Sequence, residues 1–179
     1  MHPMFEALVK LLREPPGSSR RVKTDDSILL IYPPEQELDF RERLLNTCFP
    51  ALEAQGVEFH AVDLSGFLFE GMSEESVEGL QEEEFDDYQW MVQGLSRRAE
   101  VSLKRHLGAL AEDHPDGNLV LYGTVALFPL IRFGDVLRDL RDLPVRLAVA
   151  FPGGERGGRL HFMNEPDGGN YLAVKLFWR

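Results

Sequence analysis

Three side chains with chemical potential stand where predicted strands end: Tyr32, Asp63 and Thr124. In a parallel sheet, ligands bind at the carboxyl ends of the strands, near a switch in strand order. Asp63 at such a position can ligate magnesium or act as a general base, although an Asp there more often caps the turn that follows it. The three residues therefore define one hypothesis, a ligand site of a nucleotide-binding regulator or a divergent enzyme.

The loops that hold phosphates in such proteins are missing at the expected places. Pro33, Pro34 and Glu35 follow the first strand, where prolines lack N–H donors and a carboxylate would repel phosphate. The paired glycines at 153–154 and 157–158 lead into a predicted strand, so we interpret them as turn glycines. A P-loop nucleotidase is disfavoured.

Residue types typical of metal sites and nucleophiles are present without the spacing that such sites need. The histidines are scattered, and no H-E-x-x-H pattern occurs. Ser65 lacks the G-x-S-x-G setting of a hydrolase nucleophile. Cys48 is the only cysteine, and its position predicts a buried apolar residue of a helix. We expect no catalytic residue, no metal and no cofactor.

An acidic stretch with apolar neighbours is the best candidate for a partner surface. Residues 70–87 hold nine acidic side chains, among them Glu82, Glu83 and Glu84, and follow the aromatic pair Phe67 and Phe69. A solvated acidic face is the simpler interpretation. Acids beside exposed aromatic rings are also typical of a docking surface.

Arg132 is the other candidate for a contact residue. It lies in an apolar run that otherwise has helical spacing, where a charge tends to be paired or to face solvent. The two interpretations are a contact to an acidic partner or ligand and an internal salt bridge, with Asp135 or Glu155 as its acid.

The elements that must position these residues follow a β-α-β pattern twice, at residues 27–64 and 118–151. In each unit, short apolar runs bounded by Gly or Pro flank a segment with helical spacing. The pattern predicts an α/β fold with a doubly wound, mostly parallel sheet and helices on both faces. Residues 159–163 and 171–178 are predicted to pair as a C-terminal antiparallel hairpin at the sheet edge.

The helices of these units have predicted bounds and one predicted defect. The first runs from about 35 to 54, with a kink or break near Phe49 because Pro50 follows it. The second covers 127–140. Both are preceded by strands, at 27–32 and 118–122.

The rest of the chain attaches to this single α/β domain of residues 1–179. Residues 1–24 are predicted to be an amphipathic helix and a linker, and residues 65–112 an acidic and helical insertion. Its long helix, 88–111, is predicted to have one apolar face and an opposite, mainly basic face with Arg97, Arg98, Glu100, Lys104 and Arg105.

The overall charge limits the partners. Nineteen Lys and Arg against 30 Asp and Glu give −11, which disfavours nucleic-acid binding over a broad face. DNA contact through the basic helix face remains a third hypothesis. The sequence has neither a signal-peptide pattern nor an apolar run long enough for a membrane span, so we expect a cytoplasmic protein.

Several short motifs, in order, resemble the BrxB family of bacteriophage-exclusion (BREX) defence systems. The first lies at 32–38, with Arg41 following, and Asp63-Leu64 closes the second strand. The most specific motifs are Phe-Pro-Leu-Ile-Arg at 128–132 and Phe-Pro-Gly at 151–153. The similarity spans most of residues 28–177, apart from the middle insertion.

The resemblance implies a role in a multi-protein antiphage system that methylates host DNA and blocks phage replication. A BrxB-like protein would be a small, non-catalytic component of it, acting as a scaffold or adaptor. Its implied partners are other BREX proteins, notably a PglZ-like protein of the alkaline-phosphatase superfamily and a PglX-like methyltransferase, and a homodimer is compatible with this role.

Overall fold

The protein is an α/β fold built on a mostly parallel sheet, as predicted. A computed structural model describes residues 1–14, 27–70, 88–131, 133–140, 143–167 and 172–179. The strands pair in the order β2-β3-β4-β1-β7, and all four of these pairings are parallel. Two short strands, β5 and β6, extend antiparallel from β4.

The described strands have the following bounds: β1 Ile28–Tyr32, β2 His60–Asp63, β3 Asn118–Tyr122, β4 Arg146–Arg156, β5 Arg159–Phe162, β6 Glu165–Pro166 and β7 Val174–Phe177. The α-helices are α1 Pro3–Arg13, α2 Glu37–Arg43, α3 Phe49–Ala54, α4 Phe67–Glu70, α5 Tyr88–Asp113 and α6 Phe133–Leu140. Within the described ranges, no helix combines the length and apolarity that crossing a membrane requires.

Two apolar cores, one on each face of the sheet, hold the helices in place. Successive residues of a strand point to opposite faces, so Leu29 and Ile31 enter one core while Ile28 and Leu30 enter the other. The first core takes its helical residues from α5 and α6, and the second takes them from α1, α2 and α3. Because both faces are covered, β1 is buried at all five positions.

The helical segment after β1 contains the predicted interruption. A 3₁₀ turn at Pro34–Gln36 leads into α2, a π-helical turn at Leu44–Cys48 follows, and α3 continues to Ala54. Pro50 lies in the first turn of α3, where a missing N–H is tolerated. The wider π turn takes up the change in hydrogen bonding ahead of it. Cys48 in this turn is fully buried, as predicted.

The second predicted helix, 127–140, is shorter than its apolar spacing suggested. A 3₁₀ turn at Thr124–Leu127 is followed by a turn, and α6 begins only at Phe133. Pro129 explains the delay, because it lacks an N–H and keeps the preceding residue out of the helical region. The Phe128–Pro129 peptide bond is cis.

The antiparallel hairpin at the edge of the sheet is present, but its strands are not the predicted pair. β4 is longer than expected and turns at Gly157 and Gly158 into β5, which then pairs with β6. Both turn glycines have positive φ, +59° and +75°, as a tight type I′ hairpin requires. The pairing of 171–178 with 159–163 is wrong, since Val174–Phe177 pairs parallel with β1.

A buried arginine joins the N-terminal helix to the central strand. Arg146, the first residue of β4, is 1% exposed. Its Nη1 donates to the carbonyl oxygens of Leu11 (2.7 Å) and Glu14 (2.9 Å) at the carboxyl end of α1. Carbonyls at this end of a helix have no partner within the helix and carry its negative dipole, so a cation there is stabilised.

We predict that Arg146→Ala lowers the free energy of unfolding by about 3 kcal/mol, because carbonyl groups buried with the guanidinium lose their donor. Urea denaturation followed by circular dichroism measures the change. Arg159→Ala, on the exposed edge of β5, is the matched control and should change stability by less than about 0.5 kcal/mol. Equal effects of the two substitutions would contradict the anchoring role of Arg146.

Candidate functional site

The carboxyl edge of the sheet carries all three residues of the predicted ligand site. Tyr32 ends β1, Asp63 ends β2, and Thr124 follows β3 after one glycine. Strands β4 and β3 lie between β1 and β2, so Tyr32 and Asp63 are separated by about 14 Å at the usual strand spacing. The edge therefore brings these residues to one side of the protein without joining them in one compact cluster.

Asp63 is the centre of a polar cluster at the end of β2. Its Oδ2 accepts a hydrogen bond from Arg41 Nη2 at 2.7 Å, and its Oδ1 accepts one from the Ser65 N–H at 3.0 Å. The latter is the predicted turn cap. The Arg41 guanidinium also lies over the ring of Tyr122, 5.5 Å from its centroid. Arg41 belongs to α2, so this helix extends from β1 toward the end of β2.

Tyr32 and Thr124 are buried and bound within the protein. The Tyr32 hydroxyl donates to Glu37 Oε2, and its ring stacks on Phe40 at 3.9 Å. The Thr124 hydroxyl donates to the Ala150 carbonyl oxygen at 2.6 Å. Both side chains are fully covered. A ligand could reach neither hydroxyl without displacing one of these bonds.

The protonation of these groups follows from their surroundings. Burial, the Glu37 charge and the hydrogen bond to Glu37 raise the pKa of Tyr32. Burial and the neighbouring Asp63 carboxylate raise the pKa of Tyr122, which Arg41 partly offsets. Both phenols are held neutral, so neither is prepared to act as a base near neutral pH.

Gly123 allows the ends of β2 and β3 to approach each other. Its φ is +68°, and a Cβ there would lie 2.7 Å from Asp63 Oδ1 and 2.9 Å from the Ser65 backbone nitrogen. Both distances are too short for a side chain. The capped turn after β2 thus depends on the missing side chain at the end of β3.

The aromatic pair after this turn is split between core and surface. Phe67 packs against the apolar core, with its ring 5.7 Å from that of His106. Phe69 in the same short helix is 74% exposed. Leu38, in the first turn of α2 at the same edge, is 83% exposed. Large apolar side chains at this exposure are available to a partner.

Phe128 and Phe151, from two motifs of the family resemblance, pack against β5. The ring of Phe162 lies 6.4 and 5.2 Å from their rings and 5.5 Å from that of the neighbouring Phe133. Gly153 belongs to the same region, because a Cβ there would lie 1.9 Å from the His161 carbonyl oxygen. These motif residues shape the backbone and core next to the carboxyl edge.

A buried carboxylate occupies the N-terminus of α6. Asp167, 4% exposed, accepts hydrogen bonds from the Gly134 N–H on both of its oxygens, at 2.9 and 3.0 Å. A carboxylate in this place compensates the helix dipole. It lies 33 residues away in the chain, so the sequence pattern around α6 did not reveal it.

The remaining predicted contact residues lie outside the described ranges. They are Arg132 and the glutamates Glu82, Glu83 and Glu84. Of the two acids expected as internal partners of Arg132, Glu155 has its carboxylate 3.3 Å from Lys175 Nζ. Arg132 and the acidic stretch therefore stay predictions.

The opposite, amino edge of the sheet has two neighbouring clefts of about 370 and 260 Å³, which share Glu58, Pro115, Gly117 and Asn118. In the smaller one, the rings of His60 and His114 stack at 4.7 Å. Among the described residues, no three His, Cys, Asp or Glu side chains are grouped to hold a metal ion.

Comparisons of the chain with protein-family models, with curated proteins and with solved structures gave no match.

We predict that Gly123→Ala lowers the free energy of unfolding by about 2 to 3 kcal/mol, through a strained φ and the steric conflict with Asp63 and Ser65. Gly56→Ala is the matched control. Gly56 has nearly the same φ, +66°, and open space around its Cβ position, so only the strain of about 1 kcal/mol should remain. Thermal and urea denaturation measure both, and equal losses would exclude a close approach at Gly123.

Stability should fall at alkaline pH. Burial raises the pKa of the Cys48 thiol from 9.0 to about 12. Because the pKa of the thiol is raised in the folded state, Cys48 makes its full contribution to the free energy of unfolding below pH 9.0 and loses it as the pH rises toward 12. In that window, one such group lowers the free energy of unfolding by about 1.4 kcal/mol per pH unit.

Urea denaturation between pH 8 and 11 measures how the free energy of unfolding falls with pH. In Cys48→Ala this fall should be shallower by about 1.4 kcal/mol per pH unit. The buried tyrosines keep their contribution in both proteins. An unchanged slope in Cys48→Ala would contradict the proposed burial of the neutral thiol.

Proposed function

We propose that the chain is a non-catalytic component of a BREX antiphage defence complex. It acts as a scaffold or adaptor for larger BREX proteins, the PglZ-like protein and the PglX-like methyltransferase, in host DNA methylation and phage exclusion. The motifs at 32–38, 128–132 and 151–153 support the family, because they resemble motifs of BrxB proteins and occur in the same order.

The state of the carboxyl edge is the observation that favours an adaptor over an enzyme. Tyr32, Thr124 and Asp63, the polar residues on which a ligand site would depend, already bind Glu37, the Ala150 carbonyl and Arg41. Phosphate binding needs donors that are free to meet the ligand. A ligand would have to break these bonds and then replace them.

The same edge presents apolar side chains to solvent. Phe69 and Leu38 are both more exposed than a protein without partners needs them to be. Aromatic anchors of this kind often supply much of the energy of a protein interface. The acids Glu82, Glu83 and Glu84 follow Phe69 in sequence and add negative charge to the proposed surface.

Phe69→Asp should weaken co-purification with the PglZ-like protein encoded beside this chain by at least about tenfold, because an interface anchor is replaced by a charge. Leu172→Asp is the matched control: Leu172 is 50% exposed in the turn before β7, outside this surface. Quantitative pull-down at low salt, with thermal melts of each variant to verify folding, measures the effect.

Charge reversal of Glu82, Glu83 and Glu84 in the same pull-down tests the acidic contribution separately. Loss of the complex supports it, and no change removes these acids from the surface. If the wild-type chain retains no BREX protein at low salt, the adaptor role is wrong.

The alternative, a nucleotide-binding regulator or divergent enzyme, makes the opposite prediction. Calorimetric titration with nucleotides and magnesium would then give micromolar binding that disappears in Asp63→Ala. Such a result would overturn the adaptor role. Asp63→Asn keeps the size of the side chain and separates loss of charge from loss of the turn.

A further inference from the structure

The long helix α5 is fixed in orientation by its apolar side. Leu103 and Leu107 are fully buried in the core that α5 shares with α6, and Ala111 is fully buried one turn further on. These positions repeat at intervals of four, so the opposite side of the helix must face away from the sheet. Arg97, Arg98 and Arg105 lie on that exposed side.

The exposed side forms a basic groove. Six residues line a cleft of about 480 Å³: Gly94, Arg97, Arg98, Val101, Ser102 and Arg105. The arginines span eight positions of the helix, which is about 12 Å at 1.5 Å per residue. The only acid between 88 and 111 is Glu100. At 100° per residue, it falls on a different side of the helix from the cleft.

The arginines differ from the neighbouring lysine in their partners. Lys104 binds Asp139 of α6, so its charge is used to hold two helices together. Among the ion pairs between described residues, none involves Arg97, Arg98 or Arg105. Three guanidinium groups with exposed side chains are therefore placed in a row on a chain whose net charge is −11.

Gly94 makes the groove accessible to another backbone. A Cβ at Gly94 would have no atom within 4 Å, so packing inside this chain does not require a glycine there. A glycine inside a helix costs about 1 kcal/mol relative to alanine. Close approach of a partner is a physical reason for a glycine at this position, and half-exposed Val101 in the same groove offers an apolar contact.

We infer that this face of α5, the arginine groove, is a docking surface for an acidic segment of a partner polypeptide. Guanidinium groups bind carboxylates through paired hydrogen bonds, and three along one helix match acids spaced along a peptide. Gly94 admits the peptide backbone, and Val101 meets an apolar side chain of the same segment.

A polypeptide fits the groove better than DNA. The net charge of −11 repels a phosphate backbone outside the short row of arginines. Only three cations line the cleft, whereas DNA-binding faces typically neutralise many phosphates. An acidic peptide that lies along one helix avoids the negative remainder of the protein.

Fluorescence anisotropy with a labelled poly-glutamate peptide tests the groove on the full chain at low salt. The wild type should bind, and added salt should weaken the binding. Arg97→Glu combined with Arg98→Glu should weaken it by at least about tenfold. Arg156→Glu combined with Arg159→Glu, which makes the same charge change on the exposed β4–β5 hairpin, should stay within about twofold of wild type.

Gly94→Leu is a second variant that keeps every charge. It should weaken peptide binding by filling the groove, while the melting temperature stays level or rises because helix propensity improves. Absence of binding to the wild type, or equal losses in the two arginine pairs, overturns the inference. Tighter binding of a short DNA duplex through the same arginines would also overturn it.

Discussion

The strand Arg146–Arg156 is hydrogen-bonded to β3 and β1 along its first half and to β5 along its second half. Residues 146–152 of this strand are all buried, so their polar groups need partners inside the protein. The Nη1 group of Arg146 meets this need by donating to the last carbonyls of α1. Gly153 meets it where the strand leaves the parallel sheet, since the His161 carbonyl occupies the space of a side chain. The N-terminal helix, the sheet and the hairpin are all placed by this one strand.

The same constraint explains why the carboxyl edge has little unused chemistry. The hydroxyl groups of Tyr32 and Thr124 are buried by the helices and turns that cover the ends of β1 and β3, and buried hydroxyls need internal partners. Asp63 remains partly exposed, yet Arg41 and the Ser65 N–H satisfy it. An edge that places ligands in many α/β proteins is here closed by its own side chains. That closure is consistent with the proposed adaptor role, in which the useful surfaces are exposed apolar and charged side chains.

Two surfaces with different chemistry would serve such an adaptor. The first is apolar, with Phe69 and Leu38 at the carboxyl edge, and the second is the arginine groove on α5. The two surfaces would bind partners through different interactions. Burial of apolar area dominates at an aromatic anchor, whereas contacts to exposed arginines are electrostatic and weaken with added salt. A chain with a net charge of −11 that presents the arginine groove would also discriminate among partners, because its overall charge repels most negatively charged surfaces.

The fold class could be predicted from the sequence, because apolar runs bounded by Gly and Pro indicate strands and turns through local interactions. The same holds for the interruption before Pro50, the buried Cys48, the turn glycines at 157 and 158 and the cap by Asp63. Other features could not be predicted, because they depend on contacts between residues far apart in the chain. Arg41 reaches Asp63 across 22 positions, Gly134 reaches Asp167 across 33, and Arg146 reaches Leu11 across 135. The local sequence also could not predict that β7 pairs with β1, because an edge strand has the same apolar pattern in a parallel or an antiparallel pair.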